Sequence, residues 1–351
     1  MKIADLSRAI ADLPKGDLLP FAAENDLLAL TVPTDLGGGG LPLSDGISVT
    51  YDLARRSGSA GLTYAMHLAQ IHTWAAHVKG SVYLADELRA LIATRRLVAS
   101  VVSEPETGGN IHKATAALGA DALHKDTSNT SYVPGAGAFL VTAMDASGAK
   151  PVQRLVMIRA DATQATEKRR LTMMGMKDIH NAAYSFAFHH PPEAVFADPF
   201  AQIASATMTP ATHLLWAGLW SGLAAHALDI AGRFARTELP PDIAAGVQLR
   251  LSALRNHHYT LNALIRDNLS PASSPFAAAA AINRLKIEGS DLAQQVALGC
   301  LSLVGLRGYA EGGPYSLAEV VADTLAGPLM VANARLQANT AGIDRYSEER
   351  P

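Results

Sequence analysis

Val98-Ala99-Ser100-Val101-Val102-Ser103-Glu104-Pro105-Glu106-Thr107-Gly108-Gly109-Asn110 reads as a short strand that runs into a turn. The β-branched run favours an extended chain, and Glu104-Pro105 ends it, since proline has no backbone donor for a ladder. Gly108 and Gly109 let the backbone come close to a ligand. The texture changes on either side of this stretch. Residues 1 to about 97 carry helical apolar spacing, as in Ala65-Leu68-Ile71, broken by Pro33 and the glycine run Gly37 to Gly40. Residues 98 to 200 read as strands: Phe139-Leu140-Val141, Val152 to Ile158, and Tyr184 to Phe188 with period two. From 201 to 351 the pattern is helical again, with helices expected near 204–236, 241–268, 274–310 and 316–342. The breaks are Pro240-Pro241, Ser270-Pro271 and Gly312-Gly313-Pro314. Four long Ala- and Leu-rich helices with short connections predict a four-helix bundle. The expected architecture is α+β in three parts: an N-terminal helical domain (1–97), a middle antiparallel β-domain (98–200) and a C-terminal bundle (201–351).

Composition narrows the function classes. Of 351 residues, 49% are apolar and 17% charged, which suits a globular protein with a large core. The net charge of -3, from 29 basic and 32 acidic residues, argues against nucleic acid or an anionic membrane as partner. The single cysteine, Cys300, lies in an apolar run, which disfavours disulfides and a cysteine metal site. The first residues, MKIADLSRAIADLP, are amphipathic with early acids and do not read as a signal peptide. The weakly charged stretch Leu214 to Leu228 contains His226 and falls short of the roughly 20 residues of a span. A cytoplasmic location is expected.

The opening stretch resembles the acyl-CoA dehydrogenase superfamily signature, a strand followed by Thr-Glu-Pro-x-x-Gly-Ser-Asp. Ser131-Tyr132-Val133-Pro134-Gly135-Ala136-Gly137-Ala138-Phe139-Leu140-Val141 is similar to that family's second flavin segment. Leu30 to Gly40 looks like its N-terminal VPxxxGG segment, and Gly305 to Pro314 with Ala322-Asp323 resembles its glycine-rich turn and Arg-Asp helix start. The resemblance implies a flavin-dependent oxidoreductase, with FAD as cofactor and an acyl-CoA or acyl-carrier thioester as substrate. It also implies a homodimer or homotetramer and an electron-transfer partner that the sequence leaves unknown. It places the flavin on Val101, Val102, Ser103, Gly108, Gly109, Asn129, Ser131 and Tyr132, with Ser103 and Ser131 offering hydroxyls to the ring. Gly109 and Asn110 fall at its substrate side.

The family removes an α-proton with a carboxylate while the β-hydrogen leaves as hydride, and that base needs a suitable pKa. Most members place a Glu where this chain reads Pro328-Leu329-Met330-Val331-Ala332-Asn333. Others place it where the chain reads Ala211-Thr212-His213-Leu214. Neither segment holds an acid. Three readings follow: His213 acts as the base, a carboxylate such as Glu311 or Asp323 reaches in, or no α-proton is removed. The first two accord with an acyl-thioester dehydrogenase. The third accords with a flavin-dependent monooxygenase or oxidase, or with a member that keeps the fold as a scaffold. Arg233-Phe234-Ala235-Arg236 only partly matches the family's clamp on the neighbouring FAD, and the adenine-binding Gln has no counterpart near Gly305, so the flavin is better supported at its ring than at its adenine end.

Other constellations carry less. His67, His72 and His77 step by about 140° around a helix and cannot share a face. His189-His190 and His257-His258 are adjacent pairs, and no HExxH occurs, so no metal is expected. There is no Gly-x-Ser-x-Gly elbow. Lys168-Arg169-Arg170 reads as a solvated basic hairpin.

Overall fold

The computed structural model describes residues 3–78, 80–105, 110–269 and 275–348. Five helices come first: α1 (Ile3–Asp12), α2 (Leu18–Glu24), α3 (Leu43–Arg56), α4 (Gly58–Ala76) and α5 (Val82–Thr94). Ser57 and Ser81 cap α4 and α5, each side chain accepting a backbone N–H three residues on. α4 is apolar nearly all round and almost wholly buried, as a central helix must be.

Six strands follow: β1 (Leu97–Val101), β2 (Ala122–Ser131), β3 (Ala136–Asp145), β4 (Val152–Arg159), β5 (Thr163–Arg170) and β6 (Asn181–His189). They form two three-stranded sheets, ordered β1-β3-β4 and β2-β6-β5. Phe139, Phe186 and Phe188 stack between them at centroid distances of 4.9–6.0 Å. Three of the four pairings are antiparallel, whereas β1 and β3 run parallel. The long excursion through residues 102–135 between them permits this, since parallel neighbours need a crossover and not a hairpin. β2 and β5 escape the sequence reading. β2 is polar on its open face, and every residue of β5 after Thr163 is exposed, so neither shows a run of apolar residues.

The C-terminal part starts with α6 (Phe200–Ile203) and a π-helical turn (Ala204–Met208) that leads into α7 (Thr209–Thr237). After it come α8 (Pro241–Asp267), α9 (Pro275–Val304), α10 (Leu306–Tyr309), α11 (Ala318–Leu325) and α12 (Asn333–Glu348). α7, α8, α9 and α12 pack as the bundle. The segment Phe200–Thr237 is long and apolar enough to cross a membrane by length and composition, but 89% of its most apolar window is buried in the fold. The helix expected over 274–310 ends at Val304, because Gly305 turns the chain with φ 67°. The helix expected over 316–342 is two helices separated by residues 326–332, where Pro328 interrupts the donors and Val331 adopts φ 51°.

Polar pins join the three parts. The fully buried His67 of α4 accepts from Val98 N–H at 2.9 Å through Nδ1, which leaves Nε2–H to donate to the Leu28 carbonyl at 2.8 Å. His77 bridges Asp198 and Thr207, each at 3.0 Å. Asp323 of α11 accepts Met176 N–H at 2.6 Å. Its carboxyl lies so close to Gly58 that a Cβ there would fall 2.2 Å from Oδ2. Gly175 likewise abuts the Ala322 carbonyl, where a Cβ would sit at 2.4 Å.

Burial raises the Asp323 carboxyl from 3.8 to about 6. The folded protein therefore holds this proton more tightly than the unfolded chain, and the stability it contributes below pH 4 is lost as pH rises through about 6. The full effect is about 3 kcal/mol. Asp323→Asn keeps an acceptor for Met176 N–H, so it should be more stable than the parent at pH 8 and lose that difference at pH 4. Urea unfolding at both pH values measures it, and an Asp323→Asn deficit at pH 8 would contradict the assignment.

Candidate functional site

A cavity of about 1460 Å³ opens where α4, the end of β1, the start of α7, α9 and α12 meet. Ser100 and Val102 reach it from β1 and its continuation, while Val101 between them is buried in the core. This is strand alternation at work. Met66 and Gln70 reach it from α4, four residues apart on one helix face. Thr209, Thr212, His213 and Trp216 reach it from the first turns of α7, and Ile282 and Asn283 from α9. Val331, Arg335, Leu336 and Asn339 complete the wall. The lining is mostly apolar with a few polar groups, the usual character of a ligand site.

Of the residues the sequence singled out, Val102, Asn110 and His213 lie on this wall. Gly108 and Gly109 lie outside the described residues. Val101, Ser103, Asn129, Ser131 and Tyr132 are not on the wall, but they are brought together beside it. Ser103 Oγ donates to the Asn129 carbonyl at 3.2 Å and so joins the two flavin-like segments. Ser131 Oγ donates to Asn181 Oδ1 at 2.7 Å. Tyr132, at φ 45°, donates its hydroxyl to the Val98 carbonyl at 3.1 Å and is buried. His67 is in the core, whereas Gln70, from the same helix, faces the cavity. Ser100 and Met66 were legible in principle, from period two about Val102 and the i, i+4 spacing of α4 with Gln70.

Glu104, inside the signature-like stretch, is an anchor. Its Oε1 meets Lys125 Nζ at 2.7 Å with both side chains buried. Its Oε2 accepts Thr115 N–H at 2.7 Å and the Thr115 hydroxyl. Lys125 also donates to Thr142 carbonyl and hydroxyl at 2.7 and 2.9 Å. Burial pushes the Glu104 carboxyl up, but Lys125 and Thr115 outweigh it and hold it below its usual range. Burial likewise pulls the Lys125 ammonium down despite Glu104.

The positions where the family resemblance expects a carboxylate base are Thr212 and Val331, and both face the cavity. Glu311 and Asp323 do not line it. Among the described lining residues the one carboxylate is Asp267, which is exposed at the end of α8. His213 is 2% exposed and stacks on Trp216 at 6.1 Å. Its Nδ1 has no hydrogen-bond partner among the described residues. Burial, helped by the nearby Lys286 ammonium and opposed by the Ile282 carbonyl, lowers its pKa to about 4. The ring is therefore neutral at pH 7 and a weak base. Gln70 Oε1 and Trp216 Nε1 are also buried with no partner among the described residues. Among the described residues no group of three or more His, Cys, Asp or Glu could hold a metal.

No family model matches the chain, and no curated protein does. Solved structures match it along nearly its whole length. FMN-bound TdsC from Paenibacillus sp. A11-2 superposes with a TM-score of 0.79 at 16% identity, over 97% of this chain and 95% of that one. Nitrososynthase from Micromonospora carbonacea var. africana gives 0.76 at 20%, over 97% and 95%. Butyryl-CoA dehydrogenase from Megasphaera elsdenii gives 0.76 at 18%, over 97% of each chain. At these identities the likeness fixes the fold, which is that of the acyl-CoA dehydrogenases.

Two outcomes are expected. Lys125→Met strands the Glu104 charge and should cost about 3–5 kcal/mol in chemical denaturation. Val331→Gly relieves a left-handed β-branched residue and should unfold no more easily than the parent, with a gain of up to about 1 kcal/mol.

Proposed function

Proceeding from the acyl-CoA dehydrogenase fold, we propose that the protein is a flavin-dependent oxidoreductase that works without a carboxylate base, as a monooxygenase or oxidase supplied with reduced flavin. The observation that carries this reading is the pair Thr212 and Val331. Both positions face the cavity, and neither side chain can take a proton from a substrate carbon. His213 beside them is neutral, and burial, helped by the Lys286 ammonium, opposes the positive charge it would gain on taking a proton.

The residues present fit a flavin. The cavity exceeds the few hundred Å³ that a ligand of that size requires. Ser100, Asn110 and Asn283 offer hydrogen bonds to a polar ring edge, and Arg335 offers charge complementary to a phosphate. When bound and reduced, a flavin supplies electrons to dioxygen. The chain's own part is to bind, orient and keep water out. Met66, Val102, Met208, Trp216, Ile282 and Leu336 form the apolar wall that does the last. Neutral His213 can exchange a hydrogen bond with a bound molecule without adding charge. The FMN named in the TdsC structure favours treating FAD and FMN alike, in keeping with the weak adenine-end match in the sequence.

A second reading keeps acyl-thioester dehydrogenation, on CoA or a carrier protein, with His213 as base. The unpartnered Nδ1 favours it, as does the resemblance to butyryl-CoA dehydrogenase. In either case a homo-oligomer and a separate electron partner, a reductase in the first and an acceptor in the second, belong to the proposal.

The test begins with titration of purified protein by FMN and by FAD, followed through flavin fluorescence. Binding of at least one is expected; affinity for neither would leave the scaffold reading. The flavin-loaded protein is then mixed anaerobically with butyryl-CoA and longer acyl-CoAs. Absorbance near about 450 nm, a property of the oxidised cofactor, should persist. Its loss would overturn the base-free reading in favour of dehydrogenation. Reduced flavin from a reductase, followed by oxygen, should give faster oxygen consumption than free flavin alone.

A further inference from the structure

One face of the cavity carries hydrogen-bonding groups with nothing to bond. Gln70 comes to it from α4, and His213 and Trp216 from α7. All three side chains are more than nine-tenths buried. His213 and Trp216 are three residues apart, so they share a helix face, and their rings stack at 6.1 Å. Gln70 Oε1, His213 Nδ1 and Trp216 Nε1 have no partner among the described residues, and all three atoms are screened from water. Their roles differ. The indole Nε1–H can only donate. The imidazole hydrogen-bonds the Ile282 carbonyl, which draws its one proton to Nε2 and leaves Nδ1 as an acceptor. Gln70 Oε1 is a second acceptor.

Leaving a buried donor or acceptor unmet is costly, and native folds rarely do so without a use for it. Trp220, four residues on in α7, shows that the lack of a partner is not enough by itself. Its Nε1 is also unmatched among the described residues, but its side chain is fully buried and not on the cavity wall. Here one donor and two acceptors gather on the wall of a single cavity, where rotation about their side-chain bonds presents them to a ligand. The face is also uncharged. The charged residues of the described lining, Asp267 and Arg335, come from α8 and α12. A carboxylate seated on this face would set acceptors against the acceptors of His213 and Gln70, and would bury a charge with no counterion. An ammonium would bring no acceptor for Trp216. An N–H beside a C=O answers both kinds of group and adds no charge.

We propose that Gln70, His213 and Trp216 form a subsite for a neutral amide edge, the adjoining N–H and C=O of a carboxamide, lactam or imide. Trp216 donates to the carbonyl oxygen of that edge, and His213 Nδ1 and Gln70 Oε1 accept from its N–H. Two sources carry the same chemistry: the pyrimidine half of a flavin ring, and the substrate. The proposal rests on the reading of the cavity as the ligand site. Its readout is a hydrogen bond and not turnover, and one arm of its test uses no flavin, so the two can fail separately.

The experiment is an NMR titration of the indole N–H signals in the full-length protein. The chain has three tryptophans, Trp74, Trp216 and Trp220. Trp216→Phe identifies the signal of interest; if that variant does not fold, Trp74→Phe and Trp220→Phe identify it by elimination. The probes are FMN, oxindole and benzamide, each of which carries an amide edge. The Trp216 proton should move downfield, as a new hydrogen bond requires. Trp74, already bonded to the Leu84 carbonyl at 3.1 Å, and Trp220 should stay in place. Movement with FMN assigns the edge to the cofactor; movement with oxindole or benzamide but not with FMN assigns it to the substrate. Methyl benzoate and N3-methylated FMN lack the N–H of benzamide and FMN. The counterpart of whichever probe moves the signal should bind at least about fivefold more weakly, the worth of one hydrogen bond. Equal affinity would overturn the proposal, and so would a Trp216 signal that none of the three probes moves. Flavin fluorescence unchanged by the protein would sink the flavin reading alone and leave the benzamide and oxindole arm to decide.

Discussion

Glu104 and Lys125 meet at 2.7 Å with both side chains out of water. Removing two charges from solvent costs several kcal/mol each, and their attraction repays this only when the remaining donors and acceptors are also satisfied. Thr115 and Thr142 satisfy them here. The pair fixes the path of the chain immediately after Ser100 and Val102, the two β1-side residues on the cavity wall. It also ties that path to β2 and β3. A slip of the chain by one residue would turn Val101 to the wall in place of Val102. A hydrogen-bonded ion pair does not tolerate that shift, so the register of the wall follows from the pair.

The same logic recurs where the three parts meet. His67, His77 and Asp323 each join elements from different parts through short, directional bonds. Hydrophobic burial drives association but is indifferent to small rotations. Polar pins supply the orientation that a cavity between separate elements needs. Gly58 and Gly175 serve them by letting the backbone come within reach of α11. The histidines of α4 illustrate the point: their spacing excludes a shared face, and each one turns to a different neighbour.

The cavity itself is chemically quiet. Its buried wall holds no carboxylate among the described residues, and the buried His213 on it is neutral. Such a site can orient an apolar molecule against a cofactor and exclude water, with the redox chemistry left to the cofactor. The fold is shared with dehydrogenases and with other flavoproteins, and fold alone does not choose among their reactions. On that frame this chain turns Thr212 and Val331 toward the cavity, where the family resemblance expects a carboxylate.

The three-part order and the missing acids were legible in the sequence, because each rests on local pattern: period two in β6, helical spacing in α4, and short contiguous motifs. β2 and β5 were not legible, since a strand open to water on one or both faces needs no apolar periodicity. The break between α11 and α12 was missed because a single proline among helix formers leaves the outcome to the contact of Gly327 with Ser290. Tertiary structure alone decided which residues share the cavity. Met66, Val102, His213, Ile282 and Val331 are far apart in the chain and converge only when sheet and bundle dock. It also decided the role of Glu104, which the sequence shows as part of a motif and the fold pairs with Lys125. The physical reason is range. Backbone preference and side-chain period act over a few residues, whereas the burial that lowers His213 exists only once the whole chain is packed.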